Sequence, residues 1–173
     1  MTRYFSRLIA WGCLAVLVLA PVVASFFLIN IDAFATLTRR VLDLPIQWQS
    51  VTTAQWYSLW LLTVLYLTIG LGGLYFLRRA FTNFAKGELF NDNNSHDLRL
   101  FSIFLFAQAL AKPLHFALAS MLLSLNHPPG QKMLSISLGS GEVKVVSLAM
   151  ILWVMSDLLI KGNKLESENR QFI

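Results

Sequence analysis

The sequence predicts an all-α membrane protein: a four-transmembrane-helix bundle with both termini cytoplasmic and a small extracytoplasmic β-hairpin between the third and fourth spans. Three observations predict it. Of 173 residues only 13% are charged and 56% are hydrophobic, and the mean hydropathy is +0.60. An ordinary soluble domain carries about 25% charged residues, so lipid is the main solvent of this chain. Four stretches approach the roughly 20 apolar helical residues needed to cross a hydrocarbon core about 30 Å thick. The cations are divided unequally between the two sides of those stretches.

The first span, about 8–29, is uncharged. Arg3 and Arg7 precede it and Val22-Val23-Ala24 resembles a secretory cleavage site, but the apolar run continues to Ile29, beyond a typical signal core, and is read as a retained span. The second span, about 56–77, is also uncharged; the third, about 100–125, contains Lys112 and His115; the fourth, about 143–160, has Lys144 at its outer border and contains Asp157. Arg3, Arg7, Arg78, Arg79, Lys86, Arg99, Lys161, Lys164 and Arg170 fall on one side, nine against the four of Arg39, Arg40, Lys132 and Lys144. That asymmetry puts both termini in the cytoplasm. Tyr4 and Trp11 near the inner border, and Trp48, Trp56 and Tyr57 near the outer one, fit interfacial aromatic belts. A net charge of +5 and a pI near 9.7 therefore describe topology and carry no expectation of direct nucleic-acid binding.

Between the second and third spans, residues 78–99 predict a cytoplasmic helical hairpin. Leu77, Ala80, Phe81 and Phe84 continue an i, i+3, i+4, i+7 apolar stripe. Gly87 takes the left-handed position that closes a helix, and Asn94 is placed as the N-cap of the third helix, with Asp97 in its first turn. Leu89 and Phe90 are expected to plug the inner end of the helices. Beyond His127-Pro128-Pro129-Gly130, the alternation of residues 133–138 and 142–146 about Gly139 and Gly141 reads as a β-hairpin. The first outer loop, 30–55, shows no clear period. Residues 161–173 form a cytoplasmic tail.

The run Phe84-Ala85-Lys86-Gly87-Glu88-Leu89-Phe90, with Asn94 and Leu98-Arg99, resembles the signature of the YoaS-like bacterial four-helix integral-membrane family, a domain of unknown function. Gly162 to Glu168 before the final Phe172-Ile173 is similar too. Where that pattern has a glycine soon after Leu-Arg, this chain has Leu100-Phe101-Ser102. The resemblance implies a multi-pass protein of the bacterial inner membrane, often encoded beside a small helix-turn-helix regulator, with no established activity. Phe84, Gly87, Phe90, Asn94, Leu98 and Arg99 are accordingly the candidate partner-binding residues.

An ionisable group at bilayer depth is a functional candidate because its cost must be offset. Lys112 lies 13 residues past Arg99, about 20 Å along a helix, and shares a face with Gln108 and His115. Pro113 frees a backbone carbonyl beside them. Tyr66 of the second span reaches a similar depth, while Asp157 lies only about 6 Å from the inner border. Tyr66, Gln108, Lys112, His115 and Asp157 thus form a candidate intramembrane polar cluster, with hydrogen-bonded glue, an ion or proton route and a ligand site all open as its use. Gly70, Gly72 and Gly73 are expected to pack on the small residues Ala107, Ala111 and Ser120.

A single cysteine, Cys13, excludes a disulfide or CxxC pair within the chain. Phosphate-binding glycine loops, HExxH pairs and nucleophile elbows are absent from the sequence, so no catalytic residue, metal or cofactor is assigned. The expected function is a non-enzymatic membrane anchor or sensor that binds a small cytoplasmic DNA-binding regulator. The alternative is a small transporter or channel subunit built on the Lys/His/Asp cluster. Self-association is left open.

Overall fold

The structure is a computed structural model and describes residues 2–42, 44–87 and 92–170. Five helices follow in order: α1 (Thr2–Ile29), α2 (Ile31–Val41), α3 (Thr53–Lys86), α4 (Asp92–Leu123) and α5 (Ser140–Arg170), with one 3-10 turn at Trp48–Ser50. Four of them, all but α2, are long and apolar enough to cross a membrane. Each overlaps one of the four predicted spans, the third of which runs two residues beyond the end of α4.

What the helices bury and what they expose are inverted relative to a soluble protein. Many of the buried residues along the helix contacts are small: Ala80, Ala109, Ala119, Ser102, Ser120 and Ser156. Large apolar side chains such as Leu19, Phe26, Leu65, Leu114 and Ile151 face outward. Small residues let backbones approach closely in a medium that gives no hydrophobic drive between helices. The outward apolar belt is then covered by lipid.

The spanning helices form a row. α1 packs along α3, α3 along α4 and α4 along α5, with no comparable packing between α1 and α5 among the described residues. The antiparallel register of α3 on α4 is constant from end to end. It brings Gln55 to Leu122, Thr63 to His115, Gly70 to Gln108, Arg79 to Asp97 and Asn83 to Asn94. The glycines of α3 meet large side chains, not the small ones expected. A Cβ on Gly70 would lie 2.6 Å from Gln108 Nε2, and one on Gly72 2.6 Å from Phe104 Cε1. They make room for Gln108 and Phe104 to lie between the helices.

At one end the unassigned first loop becomes α2, an amphipathic helix. Asp32 opens it and Arg39 and Arg40 close it, matching its dipole. Its Phe34, Ala35 and Thr38 are buried. Phe34 and Ala35 join Ile46, Trp56, Leu59, Ala119 and Leu123 in the main apolar core. Trp48 stacks on Trp56 with ring planes 9° apart, and the Arg39 guanidinium stands 5.5 Å from the Trp56 ring centre. A Thr52/Gln55 capping box starts α3. Gln55 then reaches across to donate to the Leu122 carbonyl at 2.8 Å. His127, also buried, accepts from the Gln47 N–H through Nε2 and faces the Gln131 carbonyl through Nδ1, which identifies the Nδ1-protonated tautomer.

The predicted β-hairpin is absent, and no strand occurs among the described residues. The chain instead turns at Gly130 (φ +88°) and runs back along α4 as a single extended segment. Ser124 Oγ accepts from the Met133 N–H (2.9 Å) and donates to its carbonyl (3.1 Å); Ser120 Oγ accepts from the Ser135 N–H (2.9 Å) while its own proton goes to the Ala117 carbonyl one turn back (2.9 Å). Four helical residues rise about 6 Å and two extended residues about 6.6 Å. Hydroxyls one turn apart on α4 therefore match alternate residues of the segment. Leu134, Ile136 and Leu138 point outward. The period-two pattern was real, but two serines supply what a second strand would have supplied. Residues 142–146, its supposed second half, belong to α5.

At the other end α3 runs on to Lys86, as the sequence stripe predicts, and Gly87 closes it at φ +94°, its N–H reaching the Asn83 and Phe84 carbonyls. α4 starts at Asp92, so Asn94 lies inside its first turn and is not its N-cap. Arg3 comes against Gly87: a Cβ there would lie 2.9 Å from its Nη2. The start of α1 and the α3–α4 turn therefore share one end of the molecule.

Candidate functional site

The extended segment decides what Lys112 meets. By running down α4 it delivers the start of α5 to mid-height, where Glu142 stands in the first turn. Glu142 Oε2 accepts from the Gly139 N–H at 2.7 Å, as an acid at N3 does for the residue before a helix. Its Oε1 forms an ion pair with Lys112 Nζ. Lys112 is 11 residues from the end of α4, about 16 Å, so both charges sit well inside the apolar belt. Pairing offsets the cost of placing either there alone.

The pair lies on a cleft of about 330 Å³ between α3, α4 and α5, lined among others by Tyr66, Gln108, Lys112 and Glu142. The Lys112 side chain is 56% exposed and that of Glu142 10%, so the cation is the accessible partner. His115 turns toward α3, where Nε2 is 3.3 Å from Thr63 Oγ1 and the ring centre is 5.0 Å from that of Tyr66. Tyr66 thus rests on His115 and makes no hydrogen bond to Lys112. Asp157 lies 15 residues beyond Glu142, about 22 Å along α5, and has no ion-pair partner among the described residues. Four of the five cluster residues come together and Asp157 does not. Glu142, the partner that sequence reading missed, carried one usable signal: an acid three residues after a glycine, ahead of an apolar helical run.

The hairpin residues have different fates. Asn94 is fully buried, accepting from Asn83 Nδ2 at 2.8 Å, and Leu98 is buried beside it. Asp97, fully buried, takes Arg79 Nε at 2.8 Å as its ion-pair partner among the described residues. The Arg99 guanidinium stands 4.8 Å from the Trp153 ring centre on α5. Phe84 is half-buried edge-on to Phe81, Gly87 is exposed, and Phe90 lies outside the described residues, as does the plug expected of Leu89. Much of the motif therefore fastens the hairpin together. Among the described residues no three of His, Cys, Asp or Glu converge as metal ligands.

Four long apolar helices with small residues at their contacts, large apolar side chains facing outward and an ion pair held at mid-height define a multi-pass membrane protein. The chain belongs to the family described as protein of unknown function (DUF2975), whose model matches residues 9–173. No curated protein and no solved structure matches it.

Proposed function

We propose that this is a non-catalytic membrane anchor or sensor of the bacterial inner membrane, its hairpin and both termini cytoplasmic, which presents residues 78–99 to a small helix-turn-helix regulator. One observation carries the reading. α3 and α4 run without a break, in constant register, from the Tyr66–Lys112 cleft to the hairpin, so a shift at the cleft is passed along two rods to the inner end. The cation asymmetry supports the orientation. The exposed His96 and the uncovered part of half-buried Phe84 are what the hairpin offers a partner, whereas Asn94, Asp97 and Leu98 hold its shape. The test is a mild-detergent pull-down from native membranes with wild type and a Phe84→Ala, His96→Glu double variant. A DNA-binding regulator recovered with wild type and lost with the equally inserted variant supports the reading. Equal recovery, or only lipid and the chain itself, overturns it.

The Lys112–Glu142 pair favours a second reading, a small transporter or channel subunit. The helices form an open row, so a conduit would be completed by a second copy. Proton or small-ion flux in proteoliposomes, lost in Lys112→Met, is its expected signature; no flux with wild type would sink it.

A further inference from the structure

A second cleft, of about 350 Å³, lies at the hairpin end between α1 and α3. On α1 it is lined by Arg7, Ala10, Trp11 and Leu14, and on α3 by Arg78, Thr82, Ala85 and Lys86. Both sets follow helical spacing, so each is one continuous helix face. Arg7 and Lys86 hold the end nearest the α3–α4 turn, while Arg78 stands eight residues before Lys86, about 12 Å along α3, toward the apolar belt, as Trp11 and Leu14 do on α1.

Neither Arg7, Arg78, Lys86 nor the adjacent Arg3 has a carboxylate within ion-pair distance among the described residues; the ion pairs lie elsewhere, at Arg79–Asp97 and Lys112–Glu142. Arg78 and its neighbour Arg79 thus part company, one turned into the hairpin and the other to this cleft. The carboxyl end of α3 supplies a partial negative charge of about half a unit, which Lys86 and Arg3 at the last turn already meet. Arg7 and Arg78 remain as two forked donors, a geometry suited to a phosphate. The Thr82 hydroxyl is committed to the Arg78 carbonyl at 2.8 Å, leaving anion recognition to the cations.

We infer that this cleft binds the phosphodiester of an anionic phospholipid between Arg7 and Arg78, with its head group toward Lys86 and an acyl chain along Trp11 and Leu14. Trp11 is 70% exposed. A free phosphate would use the cations alone and gain nothing from that apolar wall, which is why a lipid is the occupant.

The test uses the full chain in phosphatidylcholine nanodiscs, with and without phosphatidylglycerol, and native mass spectrometry to count retained lipid. Wild type should hold phosphatidylglycerol over phosphatidylcholine. Arg7→Gln with Arg78→Gln should weaken retention about thirtyfold, from the loss of two cations near an anionic head group. Arg39→Gln with Arg40→Gln, at the other end, should leave it unchanged. Trp11→Ala should weaken retention without altering thermal unfolding in lipid-free detergent, since so exposed a side chain contributes little to packing. Retention unchanged in the arginine double variant, or phosphatidylcholine held equally well, overturns the inference. So does full competition by millimolar inorganic phosphate, which would make the site one for the free anion.

Discussion

Lys112 shows how one residue can be recognised without its partner being recognised. Its depth follows from counting along one helix, and the need for a partner follows from its charge. The partner itself is 30 positions away and reaches it only because residues 131–139 double back along α4. If the pair compensates itself, Lys112→Met or Glu142→Gln alone should lower the melting temperature in detergent, by stranding one charge. Changing both to Met should recover most of the loss. Additive losses in a thermal-shift cycle would show the two residues to be independent. Asp97 offers a sharper case because it is fully buried and depends on Arg79. Arg79→Ala should destabilise the hairpin by roughly 3 kcal/mol, by leaving that carboxylate unpaired. Asp97→Asn should cost clearly less in the same denaturation series.

At the scale of elements, the extended segment and the α3–α4 contact carry separate expectations. Ser120→Ala with Ser124→Ala removes the side chains that, among the described residues, satisfy the Met133 and Ser135 N–H groups. Each unsatisfied group costs about 1–3 kcal/mol, so the segment should leave α4, and amides of residues 131–139 should exchange faster with deuterated solvent. Unchanged exchange would mean that other contacts hold it. On α3, a Cβ at Gly73 would lie 3.1 Å from Phe104 Cβ, an atom fixed close to its own backbone. Gly73→Val should therefore cost about 1–3 kcal/mol through overpacking. Gly12 has nothing within 4 Å of its own Cβ position, so Gly12→Ala should be neutral or stabilising in the same assay. The left-handed stop at Gly87 and the stripe from Leu77 to Phe84 were legible in the sequence because they are local. The hairpin at 133–146 was misread because alternation reports an extended chain with two unlike faces and does not say whether a strand or a helix lies beneath it.

For the whole molecule, the row of helices makes a claim about neighbours. With Cys13 first changed to Ser, cysteine pairs placed across α1 and α3, or across α4 and α5, should cross-link readily, while pairs across α1 and α5 should not link within one copy. Efficient α1–α5 linkage within a monomer would require a closed bundle. The count of spans, the apolar belt and the hairpin's cations were determined by the sequence alone. Hydropathy over a span is a property of a contiguous stretch measured against a fixed bilayer thickness, so it needs no knowledge of neighbours. Only the tertiary structure decided that Glu142 faces Lys112, that Gly70 and Gly72 receive Gln108 and Phe104, that Arg99 rests on Trp153, and that Arg7 and Arg78 share a cleft. Those pairings depend on helix register and on the path of an irregular segment, which are set by packing between residues far apart in the chain.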